Sequence, residues 1–197
     1  MRAKTDEKRN AIIAAATAVF EEVGYRGASM AMISSRLGGS KATLYGYFHS
    51  KEQLFATVVT SALDETGEEM LASLASDDDI ATALTRFGRL YLDLVTRQEI
   101  LAIQRTVLSE SQNTALGREV YKLGPQRGID AITHFLAERA AKGEIDLPSP
   151  ELGALYLKSL LEAGIAEPLL YGLDGVRDKA EAVETAVAAF MKIYGRP

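Results

Sequence analysis

From Met1 to Gly124 the sequence contains no proline, and along that stretch apolar residues recur at steps of three and four rather than two. Such a period puts them on one side of an α-helix, whereas a half-buried strand needs strict alternation. Ala (29 residues) and Leu (24 residues) rank among the strongest helix formers and reinforce the pattern. No strand-like alternation of any length, internal repeat or low-complexity linker interrupts it. The fold class this dictates is all-α.

Ile12, Ile13, Ala16, Val19, Phe20 and Val23 mark the inner face of a first helix that stops near Gly24. Ser29 is placed to cap a short second helix through Leu37, with Met30, Ile33 and Leu37 inward, and Gly38-Gly39 breaks it. Ser40 caps a third short helix carrying Leu44, Tyr45 and Phe48. Ser50-Lys51-Glu52-Gln53 is a capping-box pattern opening a fourth, with Leu54, Phe55, Val58, Val59 and Leu63. The acidic cluster Asp77-Asp78-Asp79 suits the positive end of a fifth helix bearing Ile80, Leu84, Phe87, Tyr91 and Leu94. A shorter helix is expected from Ile100 to Leu108. A long one over 115–141 turns Leu116, Val120, Leu123, Ile129, Ile132, Phe135 and Leu136 inward, and Pro125 must kink or split it. After a loop at 142–147, Ser149-Pro150-Glu151 starts a helix running toward Gly164 or Leu170. A turn at 172–175 precedes a last helix with Val176, Ala180, Val183, Val187, Phe190 and Met191 inward.

Composition removes whole classes of chemistry. There is no Cys and there are two His, His49 and His134, so thiol nucleophiles, disulfide frameworks and the usual zinc-ligand sets are out, and no metal or cofactor is expected. His134, beside Phe135 in a helical run, reads as a surface or satisfied core residue rather than a base. No phosphate-binding glycine loop or nucleophile elbow is present, which argues against an enzyme. No apolar stretch nears the ~20 residues of a bilayer span, and the first ten residues are mostly charged. A soluble, unprocessed, cytoplasmic protein is expected. The net charge of −5 divides unevenly: residues 1–60 carry eight Lys or Arg against five Asp or Glu, and the remainder fourteen against twenty-two. A basic module joined to an acidic body has this asymmetry, and so does an unevenly solvated surface.

Ser29 to Phe48 is a capped helix, a glycine turn and a second capped helix, the layout of a helix-turn-helix. The second helix is too short to build a core, yet beside buried Leu44 it exposes Lys41, Thr43 and Tyr47, leaving an outer face free to enter a major groove. Its N-terminal amides and the Ser40 hydroxyl suit phosphate oxygens. A helical protein-interaction module with a degenerate DNA-binding domain remains the alternative. It differs in predicting that Lys41, Thr43 and Tyr47 are dispensable for nucleic-acid affinity.

The run Ile33-Ser34-Ser35-Arg36-Leu37-Gly38-Gly39-Ser40-Lys41-Ala42-Thr43-Leu44-Tyr45-Gly46-Tyr47-Phe48, followed by Ser50-Lys51-Glu52, resembles the TetR/AcrR family of transcriptional regulators, as does Ala15 to Gly27 with Phe20 and Gly24-Tyr25. The resemblance implies a homodimeric repressor with an N-terminal DNA-binding domain (1–55) and a helical ligand-binding and dimerisation domain (56–197), released from a palindromic operator by a small-molecule inducer. It also implies that Ser29 and Lys51 contact phosphates, that Ser40 caps the recognition helix, and that Lys41, Ala42, Thr43, Tyr45 and Tyr47 face DNA. Half-buried packing is the competing role for Tyr45 and Tyr47, and plain solvation for the lysines. Arg2, Lys4, Lys8 and Arg9 can serve as a backbone or minor-groove arm. Two positions depart from the family pattern: Gly39, where a small branched residue is usual, and Gly46, where a larger polar residue or His is frequent. The first is expected to loosen the contact between the two helices, the second to remove a contact and fray the helix end.

Tyr121, Gly124-Pro125, Phe135-Leu136, Gly143-Glu144-Ile145 and Pro150-Glu151-Leu152 resemble AefR-type C-terminal domains, which implies an inducer cavity among the middle helices and a four-helix dimer interface from the last two. Ala154, Leu157, Leu161, Ala180, Val187 and Phe190 suit helix pairing and suit an ordinary core equally well. Tyr91, Gln104, Arg105, Glu110, Tyr121 and Tyr156 are polar or aromatic residues embedded in apolar periods and form the candidate ligand set. Arg105 and Glu110, five apart, are poorly spaced to pair within one helix, so each looks to another helix or to a ligand.

Overall fold

The helical periods of the sequence become twelve helices among the described residues of a computed structural model, which are 2–61, 64–75, 78–110, 112, 114–174 and 177–196. Leu63, Asp77, Gly175 and Val176, and the side chains of Arg2 and Lys4, lie outside the described residues. The helices are α1 (Arg2–Gly27), α2 (Met30–Leu37), α3 (Lys41–Tyr47), α4 (Lys51–Ser61), α5 (Asp64–Ala72), α6 (Ile80–Val95), α7 (Gln98–Ser109), α8 (Thr114–Leu123), α9 (Pro125–Ala141), α10 (Pro150–Glu162), α11 (Ala166–Leu170) and α12 (Lys179–Tyr194). They pack as two compact units.

The first unit comprises Met1–Leu63 and Thr106–Gly124. α1 packs on α2 and α4, α2 on α3, and α4 on α8. Gly24 adopts φ 69°, ψ 172°, a left-handed break that ends the regular part of α1 where its period ends. Immediately beyond it Tyr25 turns inward, where its ring and that of Phe20 both meet Phe55, with centroids 4.9 Å and 5.0 Å away. Ile12, Ile33, Leu44 and Leu54 complete this core with no exposure. Val23, placed on the inner face by its spacing, is exposed, because the break at Gly24 leaves no partner over the last turn.

The second unit comprises Asp64–Arg105 and Pro125–Pro197. Its core gathers Phe87, Leu84 and Leu92 of α6, Leu136 of α9, Leu157 and Leu161 of α10, and Val183 and Phe190 of α12. Asp79 caps α6 by accepting from the Thr82 amide at 3.0 Å, the cap the acidic cluster announces. Pro125 splits the expected long helix into α8 and α9, on opposite sides of the division between the units. Gly164 (φ 74°) separates α10 from the short α11. α5 has no counterpart in the sequence pattern: its first turns are polar, and Met70 and Leu74 bury only at its far end. Ala154, Leu157, Leu161, Val187 and Phe190 all lie in this unit's own core, whereas Ala180 is exposed in the first turn of α12. Arg139, buried in α9, donates to the Glu144 carboxylate at 3.0 Å and to the Asp78 carbonyl at 3.0 Å, satisfying a charge that burial otherwise makes costly.

Gly88 sits where α6 approaches α10 and α12 closely. A methyl group there meets Leu161 Cδ2 at 2.9 Å and Val183 Cγ1 at 3.0 Å, and both side chains are fully buried. Overpacking of about 1–3 kcal/mol outweighs a helix-propensity gain of about 1 kcal/mol. Gly88→Ala is therefore expected to lose about 1 kcal/mol in urea denaturation, against the usual sign for this substitution in a helix.

Candidate nucleic-acid interface

Seven residues are too few for an isolated helix to persist in water, so α3 depends on its ends and its inner face. At its start Ser40 Oγ accepts from the Thr43 amide at 3.1 Å and shares a hydrogen bond with Thr43 Oγ1 at 3.0 Å. At its end Phe48, 3% exposed, anchors the chain in the core, with Leu44 one turn before it. Lys41, Ala42, Tyr45 and Gly46 then point to solvent, while Thr43 and Tyr47 are half-buried along the edge of the same face. The DNA-facing residues expected from the sequence thus share one surface, with Tyr45 the most open large side chain on it.

α2 braces this helix. Ser29 Oγ accepts from the Met32 amide at 3.2 Å, which leaves its hydroxyl proton free to donate outward. Gly38 takes the left-handed conformation (φ 65°), closing α2 onto the Ser34 and Ser35 carbonyls, and the buried Ser34 hydroxyl donates to the Gly39 carbonyl at 2.9 Å. Gly39 has no positive φ, and an added Cβ meets Leu37 Cδ2 at 3.5 Å, an ordinary contact. Arg36 makes two 2.6 Å bonds to Glu22, tying α2 to α1, and this hydrogen bonding holds the Glu22 carboxyl below the ordinary carboxylate range.

The cations divide by role. Lys51 Nζ donates to the Tyr25 carbonyl at 2.9 Å and the Ala28 carbonyl at 3.1 Å, and lies 4.2 Å from the Tyr25 ring centroid. It therefore clamps the α1–α2 turn, with one of its three N–H donors remaining. Arg9 stands over the Phe48 ring at 5.6 Å, close to the end of α3. Lys8 and Arg9 belong to the helical body of α1, not to an extended arm, because the helix begins at Arg2. Lys41 has no carboxylate partner among the described residues.

The six ligand candidates are divided between the two units. Tyr91, Gln104, Arg105 and Tyr156 belong to the second unit, Glu110 and Tyr121 to the first. Arg105 donates to the Leu169 and Leu170 carbonyls at 2.6 Å and 3.0 Å, and Glu110 accepts from Arg26, so each does look beyond its own helix. Gln104 is half-buried, and Tyr121 and Tyr156 are half exposed. Only Tyr91 heads a polar cluster against the core: its hydroxyl donates to Glu162, which also accepts from Lys158 at 2.7 Å. Lys158 and Glu162 escaped the sequence reading although their four-residue spacing on a helix signals a pair. An open groove of about 620 Å³ beside α6, lined by Thr82, Thr85, Arg86, Leu90 and Glu69, includes none of the six. His134 is exposed and near Glu138, and no metal-binding cluster occurs among the described residues.

Residues 12–58 match the model of bacterial regulatory proteins of the tetR family, and residues 82–196 that of the AefR-like transcriptional repressor C-terminal domain. The transcriptional activator FasR of Mycolicibacterium smegmatis is 31% identical over 94 residues, 48% of this chain and 43% of its own. The chain thus spans less than half the length of that curated relative. A crystal structure of a TetR-family transcriptional regulator from Mesorhizobium loti superposes with a TM-score of 0.77 at 28% identity, covering 97% of this chain and 98% of the other. The flavonoid-responsive regulator FrrA gives 0.75 at 29% identity, covering 96% and 98%.

Two outcomes follow from the local geometry. Gly46 is helical and exposed with open space around its missing Cβ, so Gly46→Ala is expected to raise the unfolding free energy by about 0.5–1 kcal/mol in urea titration. Tyr91 titrates well above the ordinary phenol range, first because burial disfavours its anion and second because the Glu162 charge repels it. The unfolded chain therefore releases this proton first as pH rises. Stability from this group is intact below pH 10 and falls as pH climbs above it, and Tyr91→Phe flattens that alkaline fall in melting curves.

Proposed function

The chain belongs to the TetR family of bacterial regulatory proteins, and we propose that it is a homodimeric, sequence-specific DNA-binding repressor released from a palindromic operator by a small-molecule inducer. The observation that carries this reading is the exposed face of α3, a short capped helix held by Leu44, on which Lys41 has no carboxylate partner among the described residues. In the major groove Lys41, Ala42, Thr43 and Tyr45 meet base edges. Ser29, Ser40, Tyr47 and the remaining donor of Lys51 meet phosphates and fix the register. Residues 1–55 act as the DNA-binding domain and 56–197 as the ligand-binding and dimerisation domain.

Dimerisation is supported by an apolar row that faces solvent: Leu152, Leu155 and Tyr156 on α10 and Ile193 on α12. Tyr156 serves in that interface rather than in a ligand pocket. Two copies meeting there build a four-helix bundle and hold two recognition helices about 34 Å apart, one turn of DNA. Repression is favoured over activation because the repressor-type C-terminal model covers residues 82–196, whereas the match to the activator FasR covers only 48% of this chain. Inducer binding favours a spacing that no longer fits, and a tenfold release needs about 1.4 kcal/mol of differential affinity. Tyr91 with Glu162 offers a polar end for an inducer, and the flavonoid response named for FrrA makes hydroxylated aromatics the first compounds to screen. No helix among the described residues is long and apolar enough to cross a membrane, and we assign the protein to the cytoplasm as a binding protein, not an enzyme.

Fluorescence anisotropy against the DNA upstream of the protein's own coding region, with scrambled DNA as control, tests this reading. Selective binding that falls steeply with salt is expected, and Lys41→Ala with Tyr47→Ala is expected to weaken it about tenfold or more. Equal affinity of the wild type and the double variant for both DNAs would return the protein to the interaction-module reading.

A further inference from the structure

What a helix can read in a major groove depends on the donors, acceptors and methyl groups it carries there. On α3, Lys41 has donors only, while the side chains of Ala42 and Gly46 have neither donor nor acceptor. The Thr43 hydroxyl shares a hydrogen bond with Ser40 Oγ at 3.0 Å, which draws it back to the cap, and Tyr47 is half-buried at the edge of the face. No Asn or Gln stands on α3, so the paired donor and acceptor that grip an adenine edge are missing. The rest of the face is apolar and open. Tyr45 is 46% exposed. Ala42 lies three residues before it and four before Gly46, the spacings at which positions on a helix are neighbours, so the three share one patch. Both small residues are exposed, and a Cβ built on Gly46 meets nothing within 4 Å. The Ala42 methyl and the Tyr45 ring therefore border a shallow notch over the bare backbone of Gly46. A helix with its side chains is about 10–12 Å across and the major groove about 12 Å wide, so this bare stretch is where the backbone comes closest to the base edges. Lys41 adjoins the notch and supplies the charge that complements DNA.

We propose that the notch formed by Ala42, Tyr45 and Gly46 seats the C5-methyl group of a thymine, so that one A·T pair in each half-site is read by apolar contact and not by hydrogen bonds. This inference rests on the DNA-binding reading above and adds to it the base recognised and the group on that base. The methyl group belongs to the thymine side of the pair alone, so the contact also distinguishes A·T from T·A. Gly46 is the residue that makes room: any side chain there occupies the space the methyl group needs.

Base analogues test this without disturbing the protein. The full-length wild type selects a duplex from a random pool, and each thymine of the selected half-site is replaced in turn by deoxyuridine, which removes the methyl group and keeps the pairing edge. Affinity is read by fluorescence anisotropy at fixed salt. One replacement is expected to weaken binding about fourfold, the loss of one buried methyl group, while the others change it little. Exchanging that pair for C·G also weakens binding, and 5-methylcytosine in the same place, with its methyl group on the same ring carbon, recovers part of the loss. Gly46→Leu fills the notch and Ala42→Gly removes one wall, so each is expected to bring the thymine-to-deoxyuridine affinity ratio below about twofold. Because the ratio compares two duplexes on one preparation, it does not depend on how much of a variant is folded. A selected half-site without thymine, deoxyuridine tolerated at every position, or a ratio unchanged in both variants overturns the proposal and leaves DNA binding in place. Should the wild type select no duplex, the DNA-binding reading itself fails and this inference falls with it.

Discussion

α3, the helix whose outer face we propose meets DNA, is too short to stand alone. Its seven residues close few internal hydrogen bonds, so its geometry is imposed from outside. Leu44 and Phe48 are drawn into the core formed by α1, α2 and α4, and the Ser40 cap fixes where the helix begins. That core depends in turn on the break at Gly24, which brings Tyr25 against Phe20 and Phe55. With two side chains committed inward, the remaining face is left to solvent at a defined angle. The outer face of α3 is thus held in place by contacts outside the helix itself.

The larger unit solves a different problem, the close crossing of long helices. Gly88 lets α6 approach α10 and α12, and Gly153 does the same for α10 against Leu147 and Leu136. The antiparallel bridge between Ile145 and Gly195 ties the loop after α9 to the end of α12. Polar residues enter this apolar interior only with partners, as in Arg139 with Glu144 and Tyr91 with Glu162 and Lys158. What the unit leaves uncovered includes Leu152, Leu155 and Tyr156 of α10 and Ile193 of α12.

Lys51 and Arg26 show how much a side chain's meaning depends on where the backbone turns. In sequence both are cations near a DNA-binding motif, and for Lys51 the family resemblance implies a phosphate partner. In the fold Lys51 is drawn to carbonyl groups left open at the α1–α2 turn, and Arg26 to a carboxylate sheltered more than eighty residues along the chain. Neither partner carries any local signature. The same holds for α5, whose polar start hides the burial of Met70 and Leu74, and for Val23, which has the right period but is exposed.

Local physics was legible from the residues alone. Helical period and the caps Ser29, Ser40, Asp79 and Ser149 act within a few residues of themselves, as do the breaks at Gly24, Gly38 and Pro125, so every helix but α5 and the separate α11 could be read without coordinates. The core assignments of Ile33, Leu44, Phe87, Leu136 and Phe190 followed from the same period. Only the tertiary structure decided that Thr106–Gly124 packs with the first sixty-three residues, that the small and large residues of α10 and α12 fill their own unit's core, and that the candidate ligand residues divide between two units. The reason is range: caps and periods are interactions over three or four residues, whereas these pairings join distant segments, and their partners are chosen by burial and charge after the chain has folded.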